Sequence, residues 1–538
     1  MKTTTLRLLL LLLFTTFGTV LVPGENLHRV IPLDSEMYEL TDAIFLEQGK
    51  LCPSQSRPWT EDELLLYLKK VDSSRLSYTG YRAWVRILKY LRKDLLFGDR
   101  DGLGFSGSVD LYFEAFLHDP LEKSSGYTDE GYDWLHGYEE RKPVLDLEFE
   151  LWISEFLYLT AVPTVKEEHM TVSSPETPAI AENHFNWPDF ENPQIDLYFP
   201  FRTLLSTGGS HWNIRFGRDS VSWGHGSTGN LLLSDYSDFL DFVSFSTYWD
   251  AFKFTTLYAV MDPYLWDGTD ITYSAFFGHR FEFTLFERVS LVINEAVTFG
   301  NEYPSLIRDM NPIMIFHNWT IPERANSLFT IEAAVQPWRY FTLYGCFAMD
   351  EFATTYEEDR TGGGGPGTYG YMIGAEAVVP AGPGYVKMTG EWVMTDPWLY
   401  NRRTSPYYTN VRRIWSLVTD QYEYIVKPLG YLYGPDSMVI FGSLSYRVPA
   451  VFDTGVECTY LSQGEITLQT PYAPAPGQNT PTGIPENSIR FKVYGEFHPW
   501  RFITIGSNLY IRVTWNVGHI QDQKSSDIEW TAHCRLGI

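Results

Sequence analysis

Cysteine is scarce: Cys52, Cys346, Cys458 and Cys534 are the four in 538 residues, with no C-x-x-C spacing. That count and spread exclude a disulfide-framed scaffold and a zinc-ribbon site. Cys346, Cys458 and Cys534 fall inside alternating segments, where they read as small apolar strand residues. Basic residues are few as well, 41 Lys and Arg against 67 Asp and Glu, for a net charge of −26. A chain this acidic repels phosphate backbones, which argues against nucleic acid as a partner. The 12 His are dispersed with no H-x-x-x-H pair, so neither a metal site nor a cofactor is expected. Long apolar runs are missing beyond the N-terminus. Each spanning helix needs about 20 apolar residues, so a helical membrane protein is excluded.

The N-terminus carries Lys2 and Arg7, then Leu8 to Leu13 with Phe14, then Gly18, Pro23 and Gly24. This order reads as a secretory signal over residues 1–24, with an uncleaved anchor as the alternative. What the chain has in abundance is aromatic: 17 Trp, 35 Tyr and 35 Phe, 16% of the residues. Mean hydropathy is nevertheless −0.19. A transmembrane β-barrel reconciles the two, because each strand hides its apolar face in every second position and carries aromatic girdles at both interfaces.

Residues 25–102 read as a small helical domain. The first helix starts near Asp34 or Ser35, sets Met37, Leu40, Ile44 and Phe45 on one face, and stops at Gly49. Thr60-Glu61-Asp62-Glu63 has capping-box spacing ahead of Leu64, Leu65 and Leu68. A third stretch places Tyr81, Trp84, Val85, Leu88 and Leu91 at helical spacing, as an apolar face. Three short helices make a bundle that needs outside support.

From Leu103 the period becomes two, and residues 103–538 read as the barrel. Val109, Leu111, Phe113 and Ala115 alternate with Asp110, Tyr112 and Glu114. Leu145, Leu147, Phe149, Leu151 and Ile153 alternate with Asp146, Glu148, Glu150 and Trp152. Loop lengths also alternate back to Phe252, as periplasmic turns and extracellular loops do. Pro449-Ala450, Pro380 to Gly384, Phe286-Glu287 and the two Pro-Trp-Arg turns at 337–339 and 499–501 are short; 397–436, 351–367 and 300–326 are long. This gives about twelve strands from Phe252 onward and four to six before it, roughly 16 to 18 in total. The polar segment 161–193 falls where a short turn is wanted. The fold class is therefore mainly β: a large antiparallel transmembrane barrel behind an α-helical periplasmic bundle, both chain ends periplasmic.

The run Phe216-Gly217-Arg218-Asp219-Ser220-Val221-Ser222-Trp223-Gly224-His225-Gly226, followed by Gly229-Asn230-Leu231-Leu232-Leu233-Ser234-Asp235, resembles the signature block of the capsule assembly Wzi family. Gly278-His279-Arg280-Phe281-Glu282, Ile293 to Val297, Leu343-Tyr344-Gly345, Met349-Asp350-Glu351 and the opening Ile31-Pro32-Leu33 through Arg57-Pro58-Trp59 match the same pattern. The resemblance is clearest over 210–355. It implies an outer-membrane barrel of about 18 strands with a periplasmic helical bundle. It also implies a non-catalytic, lectin-like role in holding exported polysaccharide at the surface. Arg218, Asp219, Trp223, Arg280 and Glu295 match the motif and read as lumen residues that brace the barrel, with ligand contact as the alternative. An acidic chain departs from what an acidic polymer would favour.

The loop 397–436 is locally basic and aromatic, with Arg402, Arg403, Arg412 and Arg413 among Trp398, Tyr407, Tyr408 and Trp415. Rings pack on sugar C–H faces and Arg forks bind carboxylate or phosphate, so these eight are the candidate glycan site. The alternative is an outer girdle contacting lipid phosphates. The acidic loop Tyr127 to Glu140 would suit neutral sugars or Ca²⁺, or is simply solvated. His225-Gly226-Ser227-Thr228-Gly229 lacks the first Gly of a nucleophile elbow, and Gly362 to Gly367 opens no phosphate-binding helix. No catalytic residue is expected. The expected function is a monomeric outer-membrane lectin whose partners are membrane lipid and surface polysaccharide, with peptidoglycan a further candidate. A porin-like channel and a barrel tethered to the cell wall through its helices are the alternatives.

Overall fold

A computed structural model describes residues 25–119, 142–167, 185–186, 195–237, 239–266, 269–301, 308, 311, 314–316, 325–351, 367–401, 408–416, 421–474 and 478–538. Three helices come first: α1 (Met37–Glu47), α2 (Glu61–Leu68) and α3 (Tyr78–Leu91). Gly49 ends α1 with φ +75°, a left-handed turn that glycine adopts without strain. The Thr60 hydroxyl caps α2 by accepting from the Glu63 N–H at 3.4 Å, as the capping-box spacing predicts. In α3 the expected face is corrected in part: Leu91 is buried and Trp84 and Leu88 pack against the core as expected, but the inward face is rotated. Tyr81 and Val85 are 52% and 45% exposed, while Thr79, Gly80, Ala83, Ile87 and Leu91 are buried. Small residues face inward because Gly80 lies against the Glu47 carboxylate of α1, leaving no room for a ring.

The rest is one closed barrel of 18 antiparallel strands, every neighbour adjacent in the chain. They are β1 (Leu103–Asp119), β2 (Leu145–Ile153), β3 (Leu157–Glu167), β4 (Ile195–Gly209), β5 (Trp212–Ser220), β6 (Phe239–Tyr248), β7 (Phe252–Met261), β8 (Ser274–Leu285) and β9 (Val289–Gly300). They continue as β10 (Ala325–Trp338), β11 (Phe341–Glu351), β12 (Thr368–Ala381), β13 (Gly384–Thr395), β14 (Ser437–Val448), β15 (Phe452–Gln463), β16 (Glu486–Trp500), β17 (Ile503–Trp515) and β18 (Lys524–Gly537). The circle closes where β1 pairs with β18, from Asp110 opposite Gly537 to Asp119 opposite Ile528. The strand number lies at the top of the expected range, with six strands before Phe252.

Segment 161–193 is a correction. Residues 157–167 form β3, and the short turn is 154–156. Pro163 hides the strand, since proline cannot donate to a ladder. The structure absorbs it at an irregularity where Val162 faces Arg202 and Thr164 faces Tyr198. With that turn in place, short and long connections alternate around the whole barrel.

Alternation is also seen in burial. Phe491, Val493 and Phe497 of β16 point outward and are exposed, while Arg490, Lys492 and Tyr494 point into the lumen. Ile440 and Leu444, Val456, Leu509 and Ile511, and Ile528 and Trp530 continue the exposed apolar outer face. At roughly 25 cal/mol per Å², such a belt strongly favours an apolar surrounding. Exposed Phe156, Trp249, Phe286, Trp338, Trp500 and Phe502 ring the short-turn end. The repeated Pro-Trp-Arg turns each stack their Trp on a following Phe, Trp338 on Phe341 at 5.0 Å and Trp500 on Phe502 at 6.4 Å.

Candidate functional site

The helices stop the short-turn end of the barrel. Asn26 donates to the Ser154 and Leu157 carbonyls, Thr79 to Gly382, and Gln336 to Leu46, so the plug is tied to turns around the rim. Deeper contacts are ionic. Arg29 spans Glu150 of β2 at 2.7 Å and Glu61 of α2 at 3.3 Å, while Arg100 holds Glu61 at 2.8 Å. Lys253 of β7 pairs with Glu63, and Ser54 donates to Glu282 of β8 at 2.7 Å. Burial pushes the Glu61 carboxyl up to about 7, against the pull of Arg29 and then Arg100.

A second stopper descends from the other end. After β5 the chain leaves the wall at Val221 and enters the lumen. Ser222 and Trp223 pair antiparallel with Arg57 and Ser56 of the helical plug, and the Gly224 N–H donates to the Gln55 carbonyl at 3.1 Å. Gly224 has φ +136°, and its missing Cβ leaves room for the Asn230 amide. The Asn230 oxygen accepts from the Gly226 N–H at 3.0 Å. Glu391 of β13 accepts from the N–H groups of Ser227 and Thr228 at 2.8 and 2.9 Å and from the Tyr344 hydroxyl at 2.7 Å.

Residues 396–401, 408 and 429–434 fold over this segment. The Tyr400 hydroxyl donates to the Leu231 carbonyl at 2.7 Å, and the Tyr408 hydroxyl to Leu232 at 2.8 Å. The two rings stack at 5.2 Å, and the Tyr431 and Thr228 hydroxyls meet at 2.9 Å. Leu231, Leu232, Leu233, Leu399, Tyr400, Tyr408 and Tyr431 thus form an apolar seal across part of the lumen. A cavity of about 260 Å³ remains between the stoppers, bordered by Arg57, His225, Tyr344, Glu376 and Lys387.

The expected glycan residues separate. Tyr408 and Trp398 are buried, Trp398 donating to Gln478 at 2.6 Å and meeting Tyr472 edge-on at 5.4 Å. Arg412 is buried and Arg413 exposed, on a hairpin pairing Thr409–Ser416 with Gln421–Pro428. Trp415 lies on the same hairpin, opposite Tyr422. Arg402, Arg403 and Tyr407 lie outside the described residues, as do the loop 127–140 and residues 362–366.

The five motif residues divide too. Asp219, Trp223 and Arg280 are in the lumen: Asp219 holds Arg202 at 2.9 Å, and Arg280 grips Glu282 and Glu332 at 3.0 and 2.5 Å. Arg218 and Glu295 are corrections, because both face outward. Arg218 pairs with Asp241 on the outer surface at 2.6 Å. Glu295 sits beside His279 at 3.2 Å, beneath Phe316, whose N–H donates to it at 2.8 Å. Among the described residues, no group of three His, Cys, Asp or Glu side chains could hold a metal ion.

Sequence reasoning missed the asymmetry of the lumen. Inward residues of β3–β13 are packed by the stoppers, as at Ser244, Thr255, Asn294 and Thr330. Inward residues along the middle of β14–β17 and parts of β1 and β2 are half-exposed, as at Ser443, Glu457, Lys492, Tyr494, Asp110 and Tyr112, whereas those of β18 from Asp527 to His533 are buried. The alternating pattern marked these as polar but not which side the stoppers would fill.

No protein-family model matches the chain, and no curated protein matches it. Among solved structures it is similar to Wzi of Escherichia coli, described as an outer-membrane protein involved in group 1 capsule assembly and a carbohydrate-binding β-barrel. That likeness has 13% identity and a TM-score of 0.59, over 94% of this chain and 99% of that one. OccD3 (OpdP) of Pseudomonas aeruginosa matches at 8% identity and a TM-score of 0.41, over 83% of this chain and 95% of that one. The chain thus has the fold of a Wzi-like, 18-stranded outer-membrane barrel with a small helical N-terminal part.

Proposed function

We propose that this protein is a non-catalytic outer-membrane barrel that retains polysaccharide at the cell surface, with its short-turn end and helices in the periplasm. The observation that carries the reading is the double stopper. Elements from both ends meet inside the barrel, so the working surface is a set of outward loops on a rigid wall rather than a wide pore. The exposed apolar outer face and the aromatic turns support residence in a lipid bilayer. The likeness to a carbohydrate-binding barrel supports glycan as the ligand class. Arg413 and Trp415 on the 409–428 hairpin, with Arg402, Arg403 and Tyr407, remain the proposed glycan contacts. The deciding experiment is deletion of the gene followed by measurement of cell-bound and shed polysaccharide. A shift toward the shed fraction, restored by the intact gene, is expected; an unchanged ratio defeats the reading.

The polar half of the lumen favours a second reading, a channel for small solutes. Liposome swelling separates the two: steady, solute-selective flux through the intact protein would establish the channel and sink the closed barrel.

A further inference from the structure

The unfilled half of the lumen is a defined space. At the short-turn end it opens as a cavity of about 1280 Å³ between α3 and the wall, bordered by Tyr90, Lys93, Arg447, Asp453, Glu496 and Arg535. Further in, side chains stay accessible: Lys492 is 34% exposed and Glu457 31%. Near the long-loop end access stops. Arg512 and Asp527 form a buried pair at 2.8 Å, and Ser488 and Thr514, opposite each other in the next inward row, are buried. Asp436 accepts from the N–H groups of Thr482 and Ile466 at 3.0 and 3.2 Å, tying the segment after β15 to the one before β14. Arg490 lies over the Tyr433 ring at 5.5 Å. Among the described residues this space is a lane open at one end and closed at the other.

Its lining has a specific chemistry. Along its wall, charges stand beside their opposites: Arg447 with Glu39 and Asp453, Lys492 with Glu457, Arg535 with Asp110, and Lys93 with Glu148, while Lys89, Arg92 and Arg501 border the mouth. Tyrosines are set among them, and Lys492 lies against both Tyr494 and Tyr510, at 5.2 and 5.9 Å. An ion of either sign entering the lane would be attracted by one member of each pair and repelled by the other. A hydroxyl can donate to the carboxylate and accept from the ammonium or guanidinium, and sugar C–H faces pack on tyrosine rings.

We propose that this half of the lumen is a dead-end binding site for a neutral, hydroxyl-rich chain, a linear oligosaccharide segment entering from the short-turn end. The ligand class rests on the glycan reading above; the location does not, because that reading places contacts on the opposite end.

The test is calorimetric titration of the full-length protein in detergent micelles with maltoheptaose, cellohexaose and isomaltoheptaose, and with the same oligosaccharides after oxidation of their primary alcohols to carboxylates. At least one neutral oligosaccharide should bind, and its dissociation constant should rise at least tenfold in Ser443→Trp, which fills the middle of the lane. Tyr494→Ala should weaken the same ligand about fivefold without adding bulk. The folded state of each variant is checked by heat-modifiable gel migration. Arg413→Ala, at the opposite end, should leave this binding unchanged. The proposal is overturned if no neutral oligosaccharide binds, if both lane variants bind like the parent, or if the carboxylated forms bind more tightly. A lane that fails while deletion still releases surface polysaccharide removes this site alone. A lane that binds while deletion changes nothing removes the surface role alone.

Discussion

The carboxylate of Glu391 on the barrel wall accepts the backbone N–H of Thr228, 163 positions away in the chain, at 2.9 Å. The Thr228 hydroxyl donates to the same oxygen, and the Ser227 N–H to the other. One wall residue therefore fixes the tip of the segment that enters the lumen. Replacing it leaves buried donors without an acceptor, each worth about 1–3 kcal/mol. Glu391→Leu should loosen residues 224–234 by about 3 kcal/mol. Hydrogen exchange at Ser227 and Thr228 reports this; unchanged protection would show that the segment is held by its leucines instead.

Arg280 is fully buried between Glu282 and Glu332, with Asn294 accepting a further bond at 3.1 Å. Arg280→Met leaves two buried carboxylates uncompensated and should cost about 3–5 kcal/mol. The triple change Arg280→Met, Glu282→Leu, Glu332→Leu should recover most of it. Urea unfolding in vesicles, followed by the gel shift of the folded barrel, measures both. A triple variant no better than the single would show that the residues act through shape rather than charge.

The Glu61 carboxyl, raised to about 7 in the folded plug, binds its proton more tightly there than in the unfolded chain. The stability it contributes is therefore fully present below the ordinary value of 4.5 and lost as pH rises through about 7. The whole effect is worth about 3 kcal/mol. Thermal unfolding of the helical plug should fall between pH 5 and 8 in the parent. In Glu61→Gln, which mimics the protonated form, the fall should be absent. A parent profile that rises over this window would reverse the assignment.

Ser443 and Ser244 both face the lumen, one on the open side and one, 1% exposed, on the packed side. In a cysteine-free background, Ser443→Cys should react with a membrane-impermeant maleimide at least a hundredfold faster than Ser244→Cys. Equal rates would mean that the stoppers do not divide the lumen as described.

Much of this was readable in the chain. Asp110, Tyr112 and Glu114 face inward and Val109, Leu111 and Phe113 outward, because a period of two leaves no other choice. Where both faces carry polar groups the period is silent. Glu295 matches the motif and reads as a charge that braces the lumen; the structure turns it outward and covers it with Phe316, from a distant loop that no local pattern announces. Tyr408 reads as a glycan contact in a basic, aromatic loop, yet it is buried in the lumen seal beside Tyr400. Their partners, the carbonyls of Leu231 and Leu232, lie more than 160 positions away. Pro163 misled in the opposite direction, erasing a strand that the barrel tolerates by an irregular register.

The seam between β1 and β18 also sets the order in which the molecule can be made. The wall cannot close until its last 14-residue strand exists. The helices are synthesised first, yet their ion pairs and hydrogen bonds reach wall residues such as Glu282, 228 positions from Ser54, and Arg447, 408 positions from Glu39. Contacts at that separation form slowly, since the intervening chain must be brought together before they reward it. The plug is therefore a guest that arrives before its house, and the barrel is wrapped around it. Any truncation within β18 leaves β1 and β17 as two long unpaired edges, a template for pairing with a second chain.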